Sequence, residues 1–508
     1  MTDSSVTTST APSSAAPSAT APTGNAPTGN APDAAGTKLV ISLLLVSAFV
    51  VILNETIMGV ALPHLMKDLN ITAGAAQWLT TAFMLTMAVV IPITGFLLQR
   101  FNTRPVFLAA MTLFSTGTLI AAIAPGFEVL IVGRVVQAMG TAIMMPLLMT
   151  TVMTLVAPAA RGKTMGNISI VISVAPAIGP TISGLILSVL DWRWMFILVL
   201  PIALGSLALG AARIKNVTEP TKVPLDVVSV ILSAFGFGGL VYGLSNLGEA
   251  ATGSAAAGLV PLGIGVVAIA LFVWRQIALQ HADKALLDLR TFVSRTFTFA
   301  IVMLAVSMMA LFGTLILLPI YMQTVLGLDA LTTGLLLLPG GLTMGLLAPF
   351  VGRFYDRFGP TVLLVPGSII VSGAFWFLTM LTATTPFWYV LVAHVALSFG
   401  LAFLFTPLFT SALASLKPRL YSHGSAIVGT AQQLAGAAGT ALFVTVMSST
   451  AATQIANGAG EVAATAAGTQ SAFLYGAIIS LFAIPLAFFI RKPAVSVTDS
   501  HDAPMMAH

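Results

Sequence analysis

The chain has 508 residues, of which 57% are hydrophobic and only 7% charged, and it contains no cysteine. So few charges cannot cover a soluble globular surface, so the composition indicates a polytopic membrane protein and excludes disulfides, thiolate chemistry and cysteine-bound zinc. The net charge of +5 does not indicate nucleic-acid binding, because the basic residues stand singly or in pairs at the ends of apolar runs, and the six histidines are too scattered for a metal cage.

Residues 1 to 36 are almost wholly Ala, Pro, Ser, Thr, Gly and Asn, with APTGN twice in succession, and predict a disordered tail (domain limits 1–37). The tail lacks a charged segment followed by a short apolar one, so the first apolar run is expected to remain as a membrane helix. Fourteen runs of spanning length follow, near 38–63, 75–98, 105–125, 128–152, 163–188, 193–213, 225–246, 258–280, 297–321, 332–352, 360–382, 386–411, 423–447 and 470–490. Internal Gly and Pro are compatible with these spans, since neighbouring helices re-satisfy the freed backbone groups.

The first run, Lys38 to Pro63, contains a single carboxylate, Glu55. Burying an ionisable group at that depth costs on the order of 2.5–3.5 kcal/mol, and such residues mark proton or substrate paths. The alternative is a hydrated, idle acid near the outer mouth. With the N-terminus placed in the cytoplasm, 18 of the 21 Lys and Arg residues fall on the inner side. Lys67 and Arg193 fall outside and Arg134 lies within run four. This asymmetry predicts that both termini are cytoplasmic.

An internal repeat sets the architecture. Run two ends PITGFLLQRF, with Gly95 and Arg100, and run ten ends PFVGRFYDRF, with Gly352 and Arg357, the same skeleton 257 residues later. Run five (Gly166, Ser169, Ser173, Pro176, Pro180, Ser183) and run thirteen (Gly429, Gln432, Gly436, Gly439) share a three-four spacing that puts small residues on one helical face. Runs 1–6 therefore pair with runs 9–14. The expected fold is all-α: an N-terminal six-helix bundle (38–213), two inserted helices with a linker (214–290), a C-terminal six-helix bundle (291–491) and a cytoplasmic tail (492–508).

These residues resemble the major facilitator superfamily, within it the fourteen-helix drug:proton antiporter branch, and most closely the multidrug and lincomycin-type exporters. LNETIMGVALP (Leu53 to Pro63) is similar to that branch's first-helix motif. Gly95 to Arg104 and, more closely, Gly352 to Gly359 resemble the loop motif after helix two. IVGRVVQAMGTA resembles the fourth-helix motif, APAIGPTISG (Ala175 to Gly184) the fifth-helix antiporter motif, and DWRWMFIL the start of helix six. The resemblance implies a major facilitator fold and alternating access driven by protons, with no cofactor. Two departures stand out: Gln99 occupies a position that is usually Asp, which leaves any charge relay at the inner gate to Asp356, and Asn54-Glu55 replaces Leu-Asp.

At about 1.5 Å per residue, Glu55 and Arg134 both lie roughly 9–12 Å below the outer surface. The expectation is that Arg134 pairs with deprotonated Glu55 in one state and is released when Glu55 takes a proton or substrate; a static buried pair that orients two helices is the alternative. Arg134, Gln137 and Thr141 share one face of run four and, with Asn54, Gln432, Gln433 and His394, are candidates for the substrate cavity; interhelical hydrogen bonding would explain the glutamines equally, and for His394, which could titrate near physiological pH, a hydrogen-bonded structural role is the favoured alternative. Gly95, Arg100, Arg104, Gly352, Asp356, Arg357, Pro176, Gly179, Pro180 and Gly184 are expected to serve gating. The glycine-rich stretches lack a phosphate-loop ending, which disfavours ATP drive. The expected activity is proton-coupled export of small amphiphilic or cationic compounds across the plasma membrane by a monomer; a carrier for one metabolite, or a non-transporting receptor, are the rivals.

Overall fold

The structure, a computed structural model, describes residues 34–71, 73–214, 216, 220, 225–250 and 256–491. The sequence expectations for residues 1–33, for Lys215 and Lys222, and for the tail from Lys492 lie outside the described residues.

Among the described residues the chain is helical throughout, with fourteen helices long and apolar enough to cross a membrane. They are α1 (Ala34–Asp68), α2 (Ala73–Arg100), α3 (Thr103–Ala122), α4 (Phe127–Leu155), α5 (Arg161–Val189), α6 (Trp194–Arg213), α7 (Val227–Ala250) and α8 (Ala256–Gln280). After a linker follow α9 (Arg295–Ile320), α10 (Ala330–Phe358), α11 (Thr361–Leu378), α12 (Phe387–Ala414), α13 (Tyr421–Ala456) and α14 (Glu461–Phe489). With side chains apolar on all sides, only a closed backbone hydrogen-bond ladder satisfies the polar groups in lipid, and the helix is the structure that provides one.

Each apolar run has its helix, but the first is longer than its run. Helix α1 continues past Pro63 to Asp68, whose carboxylate accepts from Trp192 Nε1 at 2.7 Å and lies 3.5 Å from Arg193. The extra turn is fixed by tertiary contact with the residues that open α6, which no apolar pattern reveals.

Packing follows the repeat. Within the first bundle α1 packs on α5, α3 on α4 and α3 on α6; within the second α9 packs on α13, α11 on α12 and α11 on α14. The two bundles meet through α5 against α10 and α2 against α13, which the repeat exchanges. Small residues permit the tightest approaches: a Cβ on Gly140 of α4 would lie 2.3 Å from Ala110 O of α3, and one on Gly400 of α12 would lie 2.7 Å from Val371 of α11.

The inserted helices form a hairpin. Gly239 of α7 faces Gly265 of α8, where an added Cβ would lie 2.9 Å from the opposite Cα, and Phe237 packs edge-on against Phe272. Helix α7 packs against both α2 and α13, one from each bundle, so the hairpin lies along one of the two seams. Its other face, with Val260, Ile264, Val267, Leu271 and Trp274 exposed, suits contact with lipid.

One end of the molecule carries most of the basic residues, among them Arg100, Arg104, Arg161, Arg290, Arg353, Arg357 and Arg419; it is the positive end. At this end the linker after α8 runs beneath the seam. Gln276 Oε1 accepts from the backbone of Leu286 and Leu287 at 2.7 and 3.2 Å, and Gln276 Nε2 donates to Ser229 of α7 at 2.7 Å. Arg290 binds both Asp283 and Asp288, and Asp226 clasps Arg275 across α7 and α8 with bonds of 2.7 and 2.8 Å. The bond from Arg275 brings the Asp226 carboxyl down to about 2.

Candidate functional site

Arg134 lies seven residues into α4 and is almost fully enclosed. A guanidinium cannot lose its charge there, so the fold supplies acceptors. Its Nη1 donates to Asn54 Oδ1 at 3.1 Å and to Gln137 Oε1 at 2.7 Å, and its Cζ sits 4.0 Å from the centroid of the Phe83 ring on α2. Gln137 passes the chain on, Nε2 donating to Thr118 of α3 at 2.8 Å. Four helices are thereby tied to one cation. Arg134 Nε has no hydrogen-bond partner among the described residues.

Glu55 is next to Asn54 and half-buried. It interacts with Arg134 through space, but no direct ion pair or hydrogen bond joins the two in this conformation. The direct partner is Asn54, the residue that stands where the resemblance has Leu. Gly179 of α5 backs this turn of α1: a Cβ there would fall 2.3 Å from Thr56 Oγ1. The fifth-helix motif thus presses on the residue after Glu55. Helix α5 runs unbroken through Pro176 and Pro180, and Gly184 faces open space.

The other predicted cavity residues separate into two sets. Asn54, Gln137, Thr141 and His394 are buried in helix packing, with Thr141 bonded to Gln137 O of its own helix at 3.1 Å. Gln432 and Gln433 on α13 are half-buried, and Gln433 Nε2 lies 3.5 Å from Met87 Sδ of α2. His394 is the repeat counterpart of Arg134, seven residues into α12. Its Nε2 lies 3.1 Å from Leu337 O, and the ring fills the notch left by Gly340, which is itself the counterpart of Phe83.

Six of the predicted gating residues, Gly95, Arg100, Arg104, Gly352, Asp356 and Arg357, gather toward the positive end, where the two bundles are locked together, whereas Pro176, Gly179, Pro180 and Gly184 lie farther along α5. The Asp356 carboxylate accepts from Gly162 N and Lys163 N, each at 2.8 Å, and so caps the first turn of α5 from the opposite bundle. Gly352 is a necessity of that approach, because a Cβ on it would lie 2.2 Å from Gly162 O. Gly359 ends α10 at φ 81°, a left-handed turn for which glycine is suited. On the other seam Gln99 Nε2 lies 2.7 Å from His423 Nε2 and 3.5 Å from Arg419 O, and Gly95 rests against Ala426 of α13. Arg104 Nη2 binds Ala211 O at 2.7 Å and Arg357 stacks on Phe358, whereas Arg100 is exposed.

Contacts that sequence reasoning did not anticipate complete the closure. Thr150 and Ser425 share a hydrogen bond of 2.7 Å and Thr406 donates to Ser169 at 2.8 Å, both between bundles. Each of these inter-bundle contacts, Asp356 and Gln99 included, lies between the positive end and the middle of the helices. The positive end is shut.

The Major Facilitator Superfamily model matches residues 44–440. The chain belongs to the major facilitator superfamily. It is 42% identical over 458 residues to the lincomycin resistance protein LmrB of Listeria monocytogenes, covering 89% of this chain and 96% of that protein. It is 40% identical over 459 residues to LmrB of Bacillus subtilis, covering 89% and 95%, and 29% identical over 392 residues to a multidrug resistance protein B homolog of Mycobacterium tuberculosis, covering 77% and 72%. The human organic anion transporter MFSD10 shares the fold at a TM-score of 0.64 and 14% identity, covering 89% of this chain and 99% of that one. A proton:xylose symporter does so at 0.60 and 15%, covering 90% and 96%. The protein is therefore a multi-pass membrane transporter, related to lincomycin and multidrug resistance proteins, with two six-helix bundles and two inserted helices.

Proposed function

We propose that this transporter is a proton-driven antiporter that expels small amphiphilic, often cationic, compounds from the cytoplasm across the plasma membrane, with its positive end and both termini inside. The bundles 38–213 and 291–491 rock about a central cavity, with 214–290 inserted between them. The single observation that carries the reading is the position of Glu55, one half-buried carboxylate inside a span, beside a permanently charged Arg134 held on neutral acceptors.

The arrangement supports a specific cycle. A protonated Glu55 leaves Arg134 on Asn54 and Gln137, which is the arrangement seen with the positive end closed. Loss of the proton creates a carboxylate next to the guanidinium, and in a low-dielectric span that attraction draws Arg134 from Asn54. The cation then moves relative to α1, which supplies Asn54, and α2, which supplies the aromatic face, and relative to α3, which is tied to it through Gln137 and Thr118. Proton loading from outside, with the positive end shut, and unloading inside follow from the same two states. The names of the lincomycin resistance relatives support a drug-like substrate.

The test is transport by purified protein in liposomes, acid inside or outside, against lincosamides and lipophilic cations. Wild type should concentrate a substrate against its gradient only when a pH difference is imposed. Glu55→Gln should bind that substrate and fail to concentrate it. Concentrative transport by Glu55→Gln equal to wild type would overturn the proposal.

A further inference from the structure

We propose that His423 is a second proton site, separate from Glu55, placed so that protonation from the cytoplasmic side releases the closed gate. The inference rests on the orientation given above, with the positive end inside.

His423 is the third residue of α13 and its ring is buried at the seam between the bundles. Helix α2 meets it through Gln99. The Arg419 carbonyl can only accept, so the Gln99 nitrogen 3.5 Å away faces it, and the same nitrogen turns its other hydrogen toward His423 Nε2 at 2.7 Å. With the amide so placed we assign Nε2 as the acceptor, which makes the ring neutral with its hydrogen on Nδ1. Nδ1 points toward Gly95 and has no hydrogen-bond partner among the described residues.

Adding a proton at Nε2 sets an N–H against the Gln99 amide hydrogens, so this side-chain contact between α2 and the start of α13 survives only if the amide turns over and gives up the Arg419 carbonyl. The new cation also stands at the amino end of α13, where the helix dipole is positive. The linker contributes both signs: Asp288 and the backbone of Leu286 favour the cation, but Asp288 is already bound by Arg290, whose charge opposes it. The cleft beside the ring adds Arg161 of α5, Arg419 of the turn before α13, and only Thr150 and Thr154 from α4. Protons have a route, because His423 and Gln99 line a cleft of about 630 Å³ on the positive side of the Thr150–Ser425 contact. The closed gate therefore excludes the extra proton, and the open gate, where the ring is hydrated, accepts it. Stability of the closed state is full at high internal pH and is lost as that pH falls.

The opposite seam is closed by the Asp356 carboxylate, which accepts from the backbone of Gly162 and Lys163. One seam is thus held by a fixed charge and the other by a titratable neutral pair.

The absence of native cysteine permits a direct test. Spin labels on Phe101→Cys and Phe358→Cys, exposed at the ends of α2 and α10, report separation of the bundles in liposomes without any substrate. In a Glu55→Gln background, lowering the internal pH from about 7.5 to about 6 should raise the open population severalfold, a range in which histidine titrates. His423→Gln should flatten that response. Gln99→Glu, which gives imidazolium a carboxylate partner, should keep the gate closed through the same range. A pH response that persists in His423→Gln, or one that vanishes with Glu55→Gln alone, would overturn the proposal. Failure of drug transport with this response intact would instead refute the antiport reading and leave the gate site standing.

Discussion

Removing the Asp356 carboxylate should open the positive end. In the closed state it accepts two backbone N–H bonds of 2.8 Å from Gly162 and Lys163 across the bundle interface, at the amino end of α5. Hydrogen bonds to a charged group contribute roughly 1.5–3 kcal/mol each when buried, and loss of an N-cap costs about 0.5–2 kcal/mol. Asp356 is only half-buried, so water replaces part of the loss and a net cost of about 2 kcal/mol to the closed state is a reasonable working value. That corresponds to a shift of roughly thirtyfold in the open-to-closed ratio. Asp356→Ala, measured by thiol labelling of single cysteines placed on the inner half of α5 and α10, should therefore label many times faster than its parent. Asp329→Ala removes an equivalent cap, 2.8 Å from Thr332 N, but at the opposite end and within one bundle. It should leave the labelling rate unchanged. If Asp356→Ala labels within twofold of the parent, the cap does not hold the gate, and the energetics assigned to this seam are wrong.

Gly352→Val should likewise prevent closure, because Gly162 O occupies the space its side chain needs; labelling should rise and transport should fall by an order of magnitude or more, with folding intact by size-exclusion chromatography. Gly117→Ala places a Cβ 2.3 Å from Gln137 N and should lower the melting temperature, at a cost of about 1–3 kcal/mol, by pushing α3 from α4. Asn54→Leu, which restores the residue that the resemblance implies, removes one acceptor from Arg134 and should shift the pH profile of transport while substrate binding, read by fluorescence quenching, changes little. For the inserted hairpin, Asp226 has its carboxyl lowered from 3.8 to about 2 by Arg275, so the pair contributes its full stability above pH 4 and loses it as pH falls toward 2. Arg275→Met should abolish that acid sensitivity in a thermal-shift assay.

The helical plan was legible because lipid imposes it. All fourteen runs are helices, and the repeat in Gly95/Gly352 correctly pairs α2 with α10 as equivalents. The depth of Arg134 relative to α1 was also legible, since helix rise converts residue offsets into distance, and Arg134 does reach Asn54. The identity of its direct partner was not. Asn54 and Glu55 are adjacent on a helix and point about 100° apart, and a fold-level register decides which faces α4. His423 was missed for another reason: the departure at Gln99 was read as a lost charge, when a neutral amide also implies a neutral partner on the facing helix. Thr150, Thr406 and Ser425 carry no signal of their own, and Ser169 was legible only as a small residue on one face of run five, because a hydroxyl inside a span more often bonds its own helix, as Thr410 and Thr430 do here.

In the proposed reading, the repeat accounts for proton chemistry in one bundle and not the other. Arg134 and His394 stand at the same place in α4 and α12, and Phe83 and Gly340 at the same place in α2 and α10. In the first bundle an aromatic face and two side-chain oxygens surround a group that is charged in every state, so a neighbouring acid gains or loses a strong interaction with each proton. In the second bundle glycine admits an imidazole against a backbone carbonyl, and the space that held a cation holds a hydrogen-bonded ring with no acid beside it. The division reverses at the positive end, where the second bundle's Asp356 supplies the fixed anion and the first bundle's Gln99 is neutral. In the proposed cycle a proton arriving at Glu55 would act on α4 of one bundle, while the lock it must overcome is anchored in α10 of the other. Helix α5 touches both, through Gly179 at Thr56 and through Gly162 at Asp356, and in the proposed cycle it would carry the effect of charge at Glu55 to the gate.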